Sequence, residues 1–188
     1  MASSSIIYGV YAPPTSNSGY AWLRPQLRIW LPVLACSMVF AVESTSYFGA
    51  DRTSAPLRRV VEAIFGYDAC VHWNLIHHII RKTGHFIGYG VFSLVCFRAS
   101  WITLLHTASR LLRQLRAHGL AILFTFLVAS ADEFHQSFLP NRTGQLSDVL
   151  LDVAGAAALC FALFLVMQAL EMRAKVVCRL QPVCAELS

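Results

Sequence analysis

Four long apolar stretches, each polar at one end only, dominate the pattern along the chain. The first runs from about Ile29 to Phe48 and closes on Glu43, Ser44, Thr45 and Ser46. The second, about Ile76 to Phe97, opens on His77, His78, Arg81, Lys82 and His85 and finishes as VFSLVCF. The third, about Gly119 to Phe138, begins LAILFTFLVA and ends on Asp132, Glu133, His135 and Gln136. The fourth, about Asp148 to Leu170, carries one further charge, Asp152, and a run of small residues from Ala154 to Ala158 suited to close helix packing. Each is about the 20 residues that a membrane-crossing helix needs. Pro32 is expected in the first turn of its helix, where proline is tolerated.

Two shorter segments carry helical periodicity of another kind. Val60, Val61, Ile64 and Phe65 repeat beside Arg58, Arg59 and Glu62, predicting a short amphipathic helix at the membrane interface that Gly66 ends. Residues 99–116 place Leu104, Ala108, Leu111 and Leu115 on one face and Arg110, Arg113 and Arg116 elsewhere, which predicts a second helix lying on an anionic surface. Pro140, Asn141 and Gly144 make the link between the third and fourth stretches a tight turn. Residues 1–21 lack the charged and apolar regions of a secretory signal and are expected to form a loosely ordered or disordered tail. A membrane domain is expected over 22–172 and a second tail over 173–188. The expected fold is thus an all-α polytopic membrane bundle of four transmembrane helices plus short interfacial helices.

Composition excludes the main alternatives. Only 13% of the 188 residues are charged, 56% are hydrophobic and the mean hydropathy is +0.56. A soluble domain carries roughly 25% charged residues, so this chain could not cover a water-facing surface. Disordered chains are poor in apolar residues, not rich in them. The net charge of +5 comes from residues flanking apolar runs, not from a groove-like cluster, so it implies orientation in a bilayer and no nucleic-acid partner. The six cysteines include no C-x-x-C and read as small apolar packing residues.

Alternation adds a spatial inference. In an up-down-up-down bundle the C-terminal ends of spans one and three meet the N-terminal ends of spans two and four. All four polar ends therefore converge on one side of the membrane. With both termini cytoplasmic, nine of the fifteen Lys and Arg flank the cytoplasmic ends and six, including Arg81, Lys82 and Arg142, lie opposite. The positive-inside rule thus places the polar ends on the extracytoplasmic side of the membrane.

Lys82, His85 and Tyr89 fall on one helical stripe, Asp132 and Gln136 share a face with Glu133 adjacent, and Asp148 and Asp152 are one turn apart. Charges inside a membrane are costly and usually pair toward the bundle interior. Arg81 or Lys82, His85 and Arg142 are therefore expected to pair with Asp132, Glu133, Asp148 and Asp152. An acid/base reading makes His85 and a carboxylate the working pair, with Lys82 and Arg142 holding a phosphate or carboxylate. A purely structural reading makes the same residues register-fixing ion pairs, and for Arg81, His77, His78 and His135 it is the expected one. No spacing supports a metal site or a cofactor. A proton relay fits less well, because the cluster is one-sided.

These motifs, K-T-G-H-F-I-G-Y (Lys82 to Tyr89), D-E-F-H-Q-S-F-L-P-N-R (Asp132 to Arg142) and D-V-L-L-D-V-A-G (Asp148 to Gly155), resemble in sequence and order the VanZ-like family of bacterial membrane proteins. The resemblance covers about Ile29 to Leu170. It implies that Lys82, His85, Asp132, Glu133, Asp148 and Asp152 form a charged or acid/base cluster, with Tyr89, Gln136 and Arg142 completing a ligand-binding pocket. The founding member is associated with teicoplanin resistance. What the resemblance implies is an envelope role with membrane lipids, lipid-linked precursors or lipoglycopeptides as partners. The alternative is a non-catalytic scaffold whose ion pairs serve assembly.

Overall fold

A computed structural model of the chain describes residues 23–105, 109–140 and 144–185. Among these residues five helices occur in the order α1 (Leu23–Glu43), α2 (Ala50–Phe65), α3 (Trp73–Thr103), α4 (Arg110–Gln136) and α5 (Leu146–Ala185), with single 3₁₀ turns at Ser46–Phe48 and Tyr67–Cys70. There is no strand among the described residues. Four of the helices are long and apolar enough to cross a membrane, over Pro25–Glu43, Trp73–Thr103, Arg110–Gln136 and Leu146–Val177. The fold is therefore the all-α bundle of four candidate spans that the hydropathy pattern requires.

α3 is the central helix and packs against α1, α4 and α5. Its crossing with α5 is close. A Cβ on Gly155 would lie 2.1 Å from the Phe86 carbonyl oxygen, and one on Gly90 would lie 2.7 Å from Leu159 Cδ1. Without a lipid-phase hydrophobic effect to drive association, helices in membranes gain contact by such backbone approaches. Of the small run expected to pack, Gly155 and Ala156 face inward, while Ala154, Ala157 and Ala158 are exposed. Ser93 completes the seam: its hydroxyl donates to the Gly90 carbonyl at 2.6 Å and accepts from Cys160 Sγ at 3.6 Å. Cys96 and Cys160 are buried in this core beside Phe92, Phe97, Ala121 and Ala129.

Three details differ from the sequence reading. α1 starts at Leu23, so Pro32 lies in the helix interior and not in the first turn. A missing amide donor there is tolerated in membrane helices, where neighbouring groups re-satisfy the freed carbonyl. Residues 99–116 do not form a separate surface helix. α3 continues to Thr103 and α4 begins at Arg110, with the Ser109 hydroxyl accepting the Leu112 amide at 3.4 Å as its cap. Arg113 explains the break: its guanidinium donates to the Trp101 carbonyl at 2.9 and 2.5 Å and covers the Trp101 ring at 3.9 Å. It thus satisfies an end carbonyl of α3 that a continuous helix would have bonded internally. Finally, α5 runs 40 residues, about 60 Å at 1.5 Å per residue, well beyond the expected end at Leu170.

α2 forms as the amphipathic pattern predicts and ends at Gly66, whose φ of +84° is open to glycine at little cost. Arg58 and Glu62 pair at 2.8 Å one turn apart, and that hydrogen bond holds the Arg58 guanidinium above its ordinary pKa. Trp73 Nε1 donates to Ser54 at 2.7 Å and fastens α2 to the start of α3. α1 is the peripheral span. It is attached near one end by Trp30 Nε1 donating to Thr103 Oγ1 at 3.2 Å, and at the other by Ser44 Oγ and His135 Nδ1 at 2.8 Å.

Candidate functional site

The polar end of the bundle is built by the direction of the helices. α3 and α5 both start there and run inward side by side, while α1 and α4 both finish there. Side chains spaced by one turn on α3 consequently meet side chains spaced by one turn on α5. At the outer level, Lys82 Nζ and Asp148 Oδ1 form a salt bridge between half-exposed partners. One turn deeper, His85 Nδ1 stands 3.5 Å from Oδ1 of Asp152, which is fully buried. Deeper again, the Tyr89 hydroxyl donates to Asp132 Oδ2 of α4 at 3.1 Å, and Tyr89 is also fully buried. Three levels of contact thus descend from the bundle end toward its core.

Of the residues expected to meet, Lys82, His85, Tyr89, Asp132, Asp148 and Asp152 do so. Glu133 is turned to a different task, accepting the Gln145 backbone amide at 2.8 Å and so closing the α4–α5 link. Gly144 makes that closure possible, since a Cβ there would fall 2.2 Å from the Glu133 carbonyl oxygen. Gln136 is buried and lines the same end. Arg142, expected to pair with a carboxylate, lies outside the described residues. Arg81 makes no ion pair among the described residues, so of the two adjacent cations it is Lys82 that takes the acid. His77 and His135 act as fasteners: His77 contacts Thr53 at 3.4 Å and stacks on Trp73, and His135 holds Ser44.

Phe40 escaped the sequence reading. Its ring stacks on Tyr89 with centroids 4.2 Å apart and an interplanar angle of 11°. An apolar residue in an apolar span carries no signal of that role; only the approach of α1 to α3 creates it.

Several buried polar atoms at this end are left over. Among the described residues, both carboxylate oxygens of Asp152, Oδ1 of Asp132 and Nδ1 of His85 have no hydrogen-bond partner; the 3.5 Å between His85 and Asp152 is an ion-pair distance beyond good hydrogen-bond geometry. Unmade hydrogen bonds in a buried setting cost about 1–3 kcal/mol each, and native proteins keep them mainly where they serve a purpose. Above them lies a cavity of about 330 Å³ lined by Asn74, His77, His78, Arg81, Lys82, His85, Gln136, Gln145 and Asp148. An imidazole and a shielded carboxylate at this separation can pass a proton or orient a polar group entering from the cavity.

The family model described as VanZ/LLP1 matches residues 28–168, three quarters of the chain. The chain belongs to the VanZ/LLP1 family. No curated protein and no solved structure matches it. The VanZ/LLP1 match takes in α1 from Arg28, α2, α3, α4 and the first half of α5, and so every site residue named above.

Proposed function

We propose that the polar end of the bundle lies at head-group depth on the extracytoplasmic face of a bacterial inner membrane, with both termini cytoplasmic. There it binds and acts on an amphiphilic envelope component: a lipid head group, a lipid-linked precursor or a lipoglycopeptide of the teicoplanin type. One observation carries this reading. Asp152 is wholly buried with neither oxygen hydrogen-bonded among the described residues, and it faces His85 beneath a polar cavity that opens at the bundle end. Packing alone would be served as well by an apolar residue, because burying a carboxylate at that depth is costly. In the proposed site His85 and Asp152 form the acid/base pair, Asp132 and Tyr89 support them, and Lys82 with Asp148 frames the entrance.

Lipid analysis of a deletion strain tests the activity. The expected result is a defined change in one envelope lipid class, restored by the parent gene and not by Asp152→Asn or His85→Ala. A strain whose lipids and envelope phenotypes survive both substitutions would mean that the cluster serves assembly only. In that scaffold case Lys82→Arg and Asp148→Glu would be tolerated as well.

Orientation has its own check. In a background with the native cysteines replaced, a cysteine at position 142 should react with a membrane-impermeant thiol reagent added to intact spheroplasts, and one at position 116 should not. Reaction at 142 only after the membrane is opened would reverse the topology.

A further inference from the structure

Arg81 is the anomaly of the polar end. Its neighbour Lys82 is neutralised by Asp148, yet Arg81, half-buried, has no acidic partner among the described residues. It belongs to two cavities at once. One is the polar cavity described above, in which His77, His78 and His85 add further donors. The second, of about 410 Å³, lies between α1, α2 and α3 with Asp132 and Gln136 of α4 at its inner side, and has a wall of Val39, Phe40, Phe48 and Leu57. Arg81, His77, His85 and Gln136 line both. Two acids share the second cleft: Glu43, which already has a partner, as does Gln136, and Asp132, which accepts from Tyr89 and forms no ion pair with Arg81.

The floor of the second cleft is glycine. Gly84 and Gly88 continue the stripe of α3 that begins at Arg81, one and two turns further in. A Cβ on Gly84 would meet nothing within 4 Å, so the cleft is open there; one on Gly88 would rest 3.6 Å from the Phe40 ring. An uncompensated guanidinium therefore stands at the polar mouth of an apolar trough whose sides belong to membrane-facing helices. Val39 and Phe48, at its edge, remain exposed.

From this juxtaposition we infer that the ligand is a phosphate-bearing lipid, its phosphate held by Arg81 and one acyl chain lying in the α1–α2–α3 cleft over Gly84 and Gly88. Guanidinium matches phosphate oxygens in a planar, two-pronged contact, and at head-group depth phosphate is the anion that an acyl chain brings with it. The inference rests on the proposed lipid-directed function and names its substrate class. It also gives Arg81 a ligand-binding role where a structural one was expected.

Binding to the purified full-length protein in detergent tests it, with radiolabelled dioleoylphosphatidic acid and dioleoylphosphatidylglycerol as probes. Both should bind more tightly than dioleoylglycerol, and glycerol 3-phosphate, having no tail, should compete poorly. Arg81→Gln should weaken lipid binding about tenfold or more, the loss expected for a charge-assisted contact, with Arg81→Lys intermediate. Gly84→Leu fills the trough without touching a charge and should weaken binding of long-chain probes more than of dihexanoyl analogues. Thermal unfolding of each variant verifies that it is folded. Equal binding by folded Arg81→Gln, competition by glycerol 3-phosphate as strong as by the lipid, or no preference over dioleoylglycerol overturns the inference. If lipid binding fails while the parent gene still restores the lipid profile of the deletion strain and Asp152→Asn does not, the acid/base function stands with another head group. If lipid binding holds and the deletion strain shows no lipid change, the ligand stands and the acid/base function falls.

Discussion

Gly155→Ala should lower the melting temperature of the purified protein more than any other single methyl addition in the bundle. The new Cβ would fall 2.1 Å from the Phe86 carbonyl oxygen and 2.9 Å from its carbon. Both are backbone atoms of α3, so no side chain can swing away, and the two helices must separate. Overpacking of this kind typically costs about 1–3 kcal/mol where side chains can adjust; here the backbone has to move, so the upper end or beyond is expected. The damage should spread, because the same crossing sets the register that brings Lys82 to Asp148 and His85 to Asp152. Ala158→Val, an addition on the exposed side of the same helix, provides the comparison and should melt close to the parent. Tryptophan fluorescence during heating in detergent would measure both. If Gly155→Ala melts with the parent, α3 and α5 do not touch at this point.

The second large effect concerns the outer ion pair. Lys82→Met should destabilise the protein by leaving Asp148 charged and unpartnered at the edge of the membrane. Breaking a fully buried pair costs about 3–5 kcal/mol, and exposed pairs contribute about 0–1 kcal/mol. The side chains of Lys82 and Asp148 are 31% and 25% exposed, which places the expected loss between those limits, at about 1–3 kcal/mol. Asp148→Asn in the same chain should recover most of it, since removing the second charge removes the penalty. A double-mutant cycle on unfolding in detergent reads the coupling directly. Additive effects of the two substitutions would show that the residues do not interact. Ser147, whose hydroxyl donates to Asp148 at 3.3 Å, gives the remaining carboxylate only weak support.

The polar end was legible in the sequence because two simple periodicities act together there. Turn-spaced polar residues at the start of the second and fourth stretches, and at the close of the third, had to meet once the four stretches alternated in direction. Which cation met which acid was not legible. Arg81 and Lys82 are adjacent, yet successive helical residues point about 100° apart, so one faces α5 and the other faces the cleft beside α1 and α2. That choice depends on the angle at which the helices cross, which Gly155 and Gly90 fix by backbone contact. The sequence presents both glycines simply as small residues. Nor could hydropathy place the boundary within residues 99–116, where both halves are helical. The decisive contact is Arg113 reaching back over Trp101, a tertiary interaction. Glu133 shows the same limit: its charge suggested a place in the cluster, but the short link to α5 engages it with the Gln145 amide first.

The way α1 is held has a consequence for the order of events during synthesis. This helix emerges before its partners, yet the groups that retain it, Thr103, Tyr89 and His135, belong to α3 and α4. It must therefore enter the bilayer before its partners, and its last fastening comes late, His135 lying 91 positions beyond Ser44 along the chain. Its lipid-compatible outer surface, with Leu27, Leu31, Leu34, Met38 and Val42 all exposed in the finished protein, lets it do so without a companion. α1 thus finds most of its contacts once α3 has been made, and its fastening at the polar end is complete only with His135 of α4.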